Sequence, residues 1–239
     1  MKCILSYGGG VNSSALLFHL LDQNIYLDLV IFSDTGEESA ETYDAVKRMK
    51  LICETHLIKF ATVRSSKGRL VDYYFENKAV PSIMRRDCTS KFKISPIRQY
   101  LRRVFGKKET FIQYIGIAYD EMHRAVCSDV KYIENVYPFI SSRITRQGCF
   151  DILKLHSFVA SKSGCVGCPF MSKLGFHKLK LSDPLNFKRW MVMEENGSRF
   201  PELTLNPRFK MRDVWDQTYL FDPEDDDFTE GCSSAHCFI

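Results

Sequence analysis

No apolar run in the 239-residue sequence approaches the roughly 18 to 20 residues that a bilayer-spanning helix needs. The amino terminus also lacks the charged, apolar and small-residue succession of a signal peptide. A cytoplasmic protein without a membrane partner is therefore expected. There is no internal repeat and no Cys-Cys pair. There is no G-x-x-x-x-G-K-[ST], which removes the Walker A loop, and the dinucleotide pattern fails because Ser13 stands at its final glycine. Lys and Arg are absent from residues 222–239, which carry six acids (Asp222, Glu224, Asp225, Asp226, Asp227, Glu230).

With those six set aside, 33 Lys and Arg face 23 acids, so the remaining body carries +10. Much of that charge is concentrated between Arg85 and Lys108, where nine bases stand against Asp87 alone. Such a stretch suits phosphate-rich ligands, or it is a solvated helix face. Nine cysteines without a secretion signal point away from a disulfide framework and toward thiol or metal chemistry. Cys3, Cys53 and Cys127 lie in or beside apolar segments and read as small buried hydrophobes. Cys165 and Cys168, in "SGCVGCPF", have the two-residue spacing that lets two sulfurs converge on one metal or cluster.

Strand patterns alternate with helical ones, the signature of a parallel sheet covered by helices. "CILSY", "LDLVIFS", "THLIKF" and "TFIQYIGIA" read as strands; "SSALLFHLLDQ", "SAETYDAVKRMKLI" and "SPIRQYLRRVF" have helical spacing. Near residue 126 the rhythm changes to short, loop-rich segments. The expected organisation is one α/β domain over 1–221 with a cysteine-containing, loop-rich C-terminal part, then a mobile acidic tail over 222–239.

In "ILSYGGGVNSSALLFHLL", a strand leads through Gly8, Gly9 and Gly10 to a helix that starts near Ser13 or Ser14. That arrangement turns backbone N–H groups and a helix dipole toward an anion, although the glycines also suit a plain turn. "GGGVNSS" resembles the pyrophosphate-binding PP-loop of the adenine nucleotide alpha hydrolase superfamily, S-G-G-x-D-S, with Gly8 for the serine and Asn12 for the aspartate. "FSDTGEESAETY" resembles the second motif of its phosphoadenosine phosphosulfate reductase branch, and places Asp34 and Glu37 there. "RRDCTSKFKISPI", "IGIAYDEMHRA", "YPFI" and "SGCVGCPF" follow in the order found in that branch. The resemblance spans roughly residues 3 to 195. It implies a Rossmann-like adenine nucleotide alpha hydrolase fold, a parallel sheet with helices on both faces, and a nucleotide over the carboxyl ends of its strands.

Ser6, Gly8, Gly9, Gly10, Ser13 and Ser14 have the donors to cradle phosphate. Asn12 can donate but does not bind Mg²⁺ as a carboxylate does. Asp34 suits the nucleotide, a Mg²⁺ ion or a turn cap. Arg85, Arg86, Lys91 and Lys93 are expected to lower the Cys88 pKa and attract an anionic substrate, with Arg86 and Lys91 as catalytic candidates. Glu121 and Arg124 form a helical surface pair or, as the resemblance implies, face the nucleotide. Cys88, Cys165 and Cys168 resemble the scattered ligands by which sulfur-inserting relatives hold an iron–sulfur cluster. Such a cluster would be [4Fe-4S], with Cys149, exogenous sulfide or His177 in the fourth position. Zn²⁺ is the simpler alternative.

Two enzyme chemistries compete. In the first, ATP adenylates a substrate that then accepts sulfur, and a nucleic acid is one acceptor suggested by the basic body. In the second, phosphoadenosine or adenosine phosphosulfate binds the same loop and a cysteine thiolate attacks its sulfur. The tail "EGCSSAHCFI" resembles in part the Glu-Cys-Gly-Leu-His segment of true reductases, which makes Cys232 a catalytic candidate. A noncatalytic nucleotide-binding module is the third reading. The first needs a sulfur donor, the second a thiol reductant. A homo-oligomer is left open.

Overall fold

Five short runs rich in β-branched and aromatic residues become strands: β1 Lys2–Tyr7, β2 Leu29–Asp34, β3 Phe60–Arg64, β4 Phe111–Ile115 and β5 Ile133–Val136. They form one sheet, ordered β3-β2-β1-β4-β5, with every neighbouring pair parallel. The computed structural model describes residues 1–83, 87–196 and 203–217. Arg85, Arg86, Cys232, Cys237 and the expected tail boundary after residue 221 lie outside the described residues.

The fold class is as expected, α/β with helices on both faces of a parallel sheet. Every residue of β2 is buried, so its sequence LVIFSD runs apolar rather than alternating, as a strand covered on both faces must. Leu5, Tyr7, Val30 and Phe32 pack with α1 Val11–Asp22, α2 Ala40–Thr55 and a later helix, α7 Arg146–Leu155. Ile4, Leu29 and Ile31 share the other cluster with Ile97 and Leu101. Those two belong to α5 Ser95–Phe105, which is entered from the short α4 Asp87–Thr89 through a wide π-turn, Ser90–Ile94. Helix α1 is apolar nearly all round because it is sandwiched between sheet and α7. Burial of its Leu16, Leu17 and Leu20 stabilises the fold by about 1.5–3 kcal/mol each.

A third cluster joins α3 Leu70–Glu76 to the C-terminal helices α8 Lys173–Ser182, α9 Pro184–Asn196 and α10 Met211–Asp216, with Trp190 and Phe187 fully buried within it. Together with α6 Pro138–Ser141 and α7 Arg146–Leu155, these helices make the C-terminal part more helical than the sequence rhythm suggests. Its cysteine pair sits in the irregular stretch 156–172. "THLIKF" lies earlier than the strand it was expected to form. Thr55 still belongs to α2, the Ile58 N–H bonds to the Cys53 carbonyl, and Leu57 has a positive φ and is 95% exposed. No helix among the described residues is long and apolar enough to cross a membrane.

Candidate nucleotide and cysteine site

Strand order reverses between β1 and β4, because β1 leads outward to β2 while β4 lies on its other side. Parallel sheets bind ligands at such a switch point, over the carboxyl ends of the strands. The glycine-rich loop leaves β1 here. The 3₁₀ turn Tyr119–Arg124 follows β4.

Gly9 has φ +75°, a left-handed conformation that suits glycine, and a methyl group there would lie 2.6 Å from Thr42 Cγ2 at the start of α2. Helix α1 begins after Gly10 with no side-chain cap, whereas α2, α7 and α8 are capped by Ser39, Thr145 and Ser172. The first-turn N–H groups of α1 lack intrahelical acceptors, so they and the helix dipole favour an anion. Ser13 Oγ accepts from the Gly8 N–H at 3.2 Å and donates to the Gly10 carbonyl, which holds the loop open. Ser14 turns inward, its Oγ 3.0 Å from the Tyr7 hydroxyl. Ser6 Oγ is buried in β1 and has no partner among the described residues. Of the hydroxyls expected to cradle phosphate, only Ser13 lies on the crevice at the helix start. That crevice is lined by Gly10, Val11, Asn12, Ser13, Arg146, Lys162 and Ser163.

Asn12 is fixed from both sides. Its Nδ2 donates to Glu121 Oε2 at 2.7 Å, and its Oδ1 accepts from Arg146 at 2.8 Å. Glu121 Oε1 in turn accepts from the buried Arg124 at 2.6 Å, and the Arg146 backbone N–H donates to Asp120. Glu121 and Arg124 thus form the expected ion pair, and Glu121 also bonds to Asn12 of the glycine-rich loop.

Asp34 accepts four hydrogen bonds: from the Gly36 N–H, from the Tyr43 hydroxyl, and two from the Arg64 guanidinium at 2.8 and 2.6 Å. Arg64 is its register partner on β3. Glu37, expected at the nucleotide, is buried. Arg69 approaches one oxygen at 2.9 Å, while Arg189 and Trp190 Nε1 donate to the other. The donor set therefore does not fit a Mg²⁺ ion held by the protein. Asp34 accepts four hydrogen bonds, Glu37 and Glu121 are each paired with a guanidinium, and position 12 offers an amide.

Residues 162–168 run from this crevice to the cysteines. A methyl at Gly10 would lie 2.6 Å from Ser163 Oγ, so the strap rests on the glycine-rich loop. The Gly164 carbonyl accepts from the Ser39 N–H, Cys165 bridges Glu38, and the Val166 N–H bonds to the Glu37 carbonyl at 2.7 Å. The Cys168 N–H closes a turn onto the Cys165 carbonyl, and the face of Trp190 lies against Gly167. Cys165 Sγ donates to Glu38 Oε1 at 3.3 Å; the same oxygen accepts from Thr35 and stands 3.8 Å from Lys93 Nζ.

Burial works against the Lys93 ammonium, but Glu38, Cys165, Cys168 and Cys88 outweigh it and hold its pKa above the ordinary lysine value. Burial also raises the Cys88, Cys165 and Cys168 thiols above theirs. This corrects the expectation for Cys88: Lys93 does lower it, but desolvation is the larger effect. Lys91 is committed elsewhere, to Asp87 at 2.7 Å and the Tyr73 hydroxyl at 2.8 Å. The three thiols share Lys93 as a neighbour, and their softness fits iron or zinc. Among the described residues, however, no three His, Cys, Asp or Glu side chains converge as a ready-made metal group. Cys149 is fully buried in the cluster beneath α1, and burial pushes its thiol up to about 12. The structure separates it from the other three. His177 is also committed, to Gln217 at 3.1 Å, and Cys127 is exposed rather than buried.

Sequence reasoning missed Glu38, Arg64, Arg146, Lys162 and Trp190. Arg146 and Lys162 stand within three residues of cysteines that were noticed, but in the sequence nothing ties them to a loop more than 130 positions earlier.

An uncharacterised protein of Methanocaldococcus jannaschii is 27% identical over 199 residues, 78% of this chain. The chain spans 46% of that relative's length. Among solved structures, the phosphoadenylyl-sulfate reductase of Candida auris, a phosphate complex, aligns with TM-score 0.47 and 10% identity. The alignment covers 67% of this chain and 75% of that one. The U34-tRNA thiolase NcsA of Methanococcus maripaludis, with its [4Fe-4S] cluster, aligns with TM-score 0.47 and 16% identity over 69% of this chain and 60% of that one. The family model for the phosphoadenosine phosphosulfate reductase domain matches residues 2–124, just over half of the chain, from β1 through the Glu121–Arg124 turn. The chain belongs to the phosphoadenosine phosphosulfate reductase family.

Proposed function

We propose that this protein is an enzyme that holds the phosphates of an adenine nucleotide on the Gly8–Ser14 loop and performs sulfur chemistry beside it. The favoured reaction is ATP-dependent adenylation of an acceptor followed by sulfur transfer. One observation carries the reading: the strap whose Ser163 rests on Gly10 also presents Cys165 and Cys168. Phosphate loop and cysteine turn are two ends of seven residues.

In the adenylation step an acceptor oxygen attacks the α-phosphorus, the bond to the β-phosphate oxygen breaks, and pyrophosphate leaves. The developing charge meets the first-turn N–H groups of α1, Arg146 and Lys162. A sulfur nucleophile then displaces AMP from the activated carbon. Cys88, Cys165 and Cys168 are the residues that would hold an iron–sulfur cluster or Zn²⁺, which would supply a Lewis acid able to bind sulfide. Lys93 keeps a positive charge among these thiols, and Glu38 accepts a hydrogen bond from Cys165. The acceptor is proposed to be a nucleic acid. The exposed side of α5 and the turn after it carry Gln99, Arg103, Lys107 and Lys108, and Arg102 stacks on the Tyr132 ring.

Family membership favours sulfonucleotide reduction as the second reading, with a thiolate attacking the sulfur and sulfite released after a thiol reductant acts. Its sequence candidate, Cys232, lies outside the described residues. Anaerobically purified protein should be analysed for iron, sulfide and zinc, then assayed for ATP–pyrophosphate exchange and for sulfite release from phosphoadenosine and adenosine phosphosulfate. Exchange without sulfite supports sulfur transfer, sulfite without exchange supports the reductase, and tight nucleotide binding with neither supports a binding module.

A further inference from the structure

A nucleotide loop that works with Mg²⁺ needs oxygen ligands with lone pairs to spare, in most cases one or two carboxylates beside the phosphates. This loop has cations in their place. The crevice at the start of α1 is lined by Arg146 and Lys162 together with Gly10, Val11, Asn12, Ser13 and Ser163, with no carboxylate among the described residues that line it. The position where a PP-loop carboxylate would stand is an amide whose two ends are committed, Nδ2 to Glu121 and Oδ1 to Arg146. A carboxylate at position 12 would face Glu121 Oε2 at 2.7 Å, so the network selects the neutral side chain. Asp34, the other acid expected to bind Mg²⁺, already accepts four hydrogen bonds.

We infer that the crevice binds the phosphate end of its ligand without a divalent cation, with Arg146 and Lys162 providing the neutralising charge. The inference rests on the reading of this loop as the phosphate site and adds how that site is charged. Arg146 has five N–H donors, of which one is bonded, to Asn12, among the described residues. Asn12 thus sets the guanidinium in position while leaving most of its donors uncommitted. Lys162 is exposed and makes no hydrogen bond or ion pair among the described residues. Both residues lie beyond residues 2–124, so the charge of the pocket comes from the part of the chain that the family match does not cover.

The test is calorimetric titration of inorganic pyrophosphate into the full-length protein, once in EDTA and once in excess Mg²⁺. Affinity in EDTA should be within about threefold of that in Mg²⁺, because the charge to be neutralised is met by side chains. Arg146→Met should weaken binding about 10- to 100-fold, the loss typical of a charge-assisted bond. Lys162→Met, an exposed change that leaves the fold intact, should weaken it on the order of 3- to 10-fold, more at low salt than at high. Asn12→Asp should weaken binding in EDTA and regain affinity when Mg²⁺ is added. Binding by the parent protein only in Mg²⁺, or unchanged affinity in both Arg146→Met and Lys162→Met, would overturn the inference while leaving the phosphate site standing. Absence of binding in both conditions would instead overturn the phosphate site itself, and the inference with it.

Discussion

Replacing Gly9 by alanine separates two physical demands on the glycine-rich loop, provided that Gly68→Ala is measured beside it. Both glycines have positive φ, +75° and +82°, but a methyl group at Gly68 meets nothing within 4 Å. At Gly9 it lies 2.6 Å from Thr42 Cγ2 and 3.5 Å from Val46 Cγ2. The left-handed backbone alone costs about 1–2 kcal/mol for an L-residue. Overpacking adds roughly 1–3 kcal/mol at Gly9, because Thr42 is buried on α2 and its N–H is held by Ser39. Each kcal/mol shifts Tm by about 2–4 °C for a chain of this size, so Gly68→Ala should melt roughly 2–8 °C lower and Gly9→Ala roughly 4–20 °C lower. Differential scanning fluorimetry reads both shifts. Relief of the clash by moving the loop away from α2 re-aims the first-turn N–H groups, so Gly9→Ala should also lose nucleotide affinity while Gly68→Ala keeps it. A Gly9→Ala protein that melts no lower than Gly68→Ala and binds nucleotide like the parent refutes the argument.

Cys165→Ser and Cys168→Ser should each abolish copurifying iron or zinc. Their melting temperatures should fall with it, by the equivalent of about 3 kcal/mol where free metal stands near 100 Kd; full metal occupancy in both would remove these residues as ligands. Native alkylation followed by peptide mapping should label exposed Cys127 quickly and leave Cys53 and Cys149 unmodified near neutral pH, because burial pushes both thiols up to about 12. Rapid labelling of Cys149 would contradict its place in the core. Burial raises Asp28, but the Lys2 ammonium and the Cys3 N–H outweigh it and leave the carboxyl below its ordinary 3.8. The folded state therefore binds fewer protons there than the unfolded chain. The stability Asp28 contributes is present above about 3.8 and lost as pH falls through its lower folded pKa. Asp28→Asn should flatten the fall of Tm with acid below pH ~4, and an unchanged profile would show that the pair does not act.

The strands and helices around the nucleotide loop were legible because their periodicity is local. Helix α5 coincides with "SPIRQYLRRVF", β4 falls inside the run that predicted it, and β1 and β2 each extend one residue beyond theirs. The start of β3 was not legible, because Ile58 is apolar yet serves the exit turn of α2. The glycines and Asp34 became candidates from residue type and order alone. The partners that decide their chemistry come from distant segments: Arg64 saturates Asp34, Arg146 and Glu121 fix Asn12, and Arg189 with Trp190 claims Glu37. Burial was also hidden in the sequence. Basic residues near Cys88 suggested an acidified thiol, but desolvation acts the other way and is larger. The same applies to Cys149, whose neighbours in sequence look much like those of a ligand but whose side chain points into the packing between α1 and α7.

The central claim is that an adenine nucleotide's phosphates sit on the loop from Gly8 to Ser14. Titration calorimetry of ATP and of phosphoadenosine phosphosulfate against the parent protein and a folded Gly9→Val variant tests it most directly. The account predicts saturable single-site binding of at least one of these nucleotides to the parent and none to the variant. Equal affinity in both proteins, or no binding of either nucleotide to the parent, would contradict it.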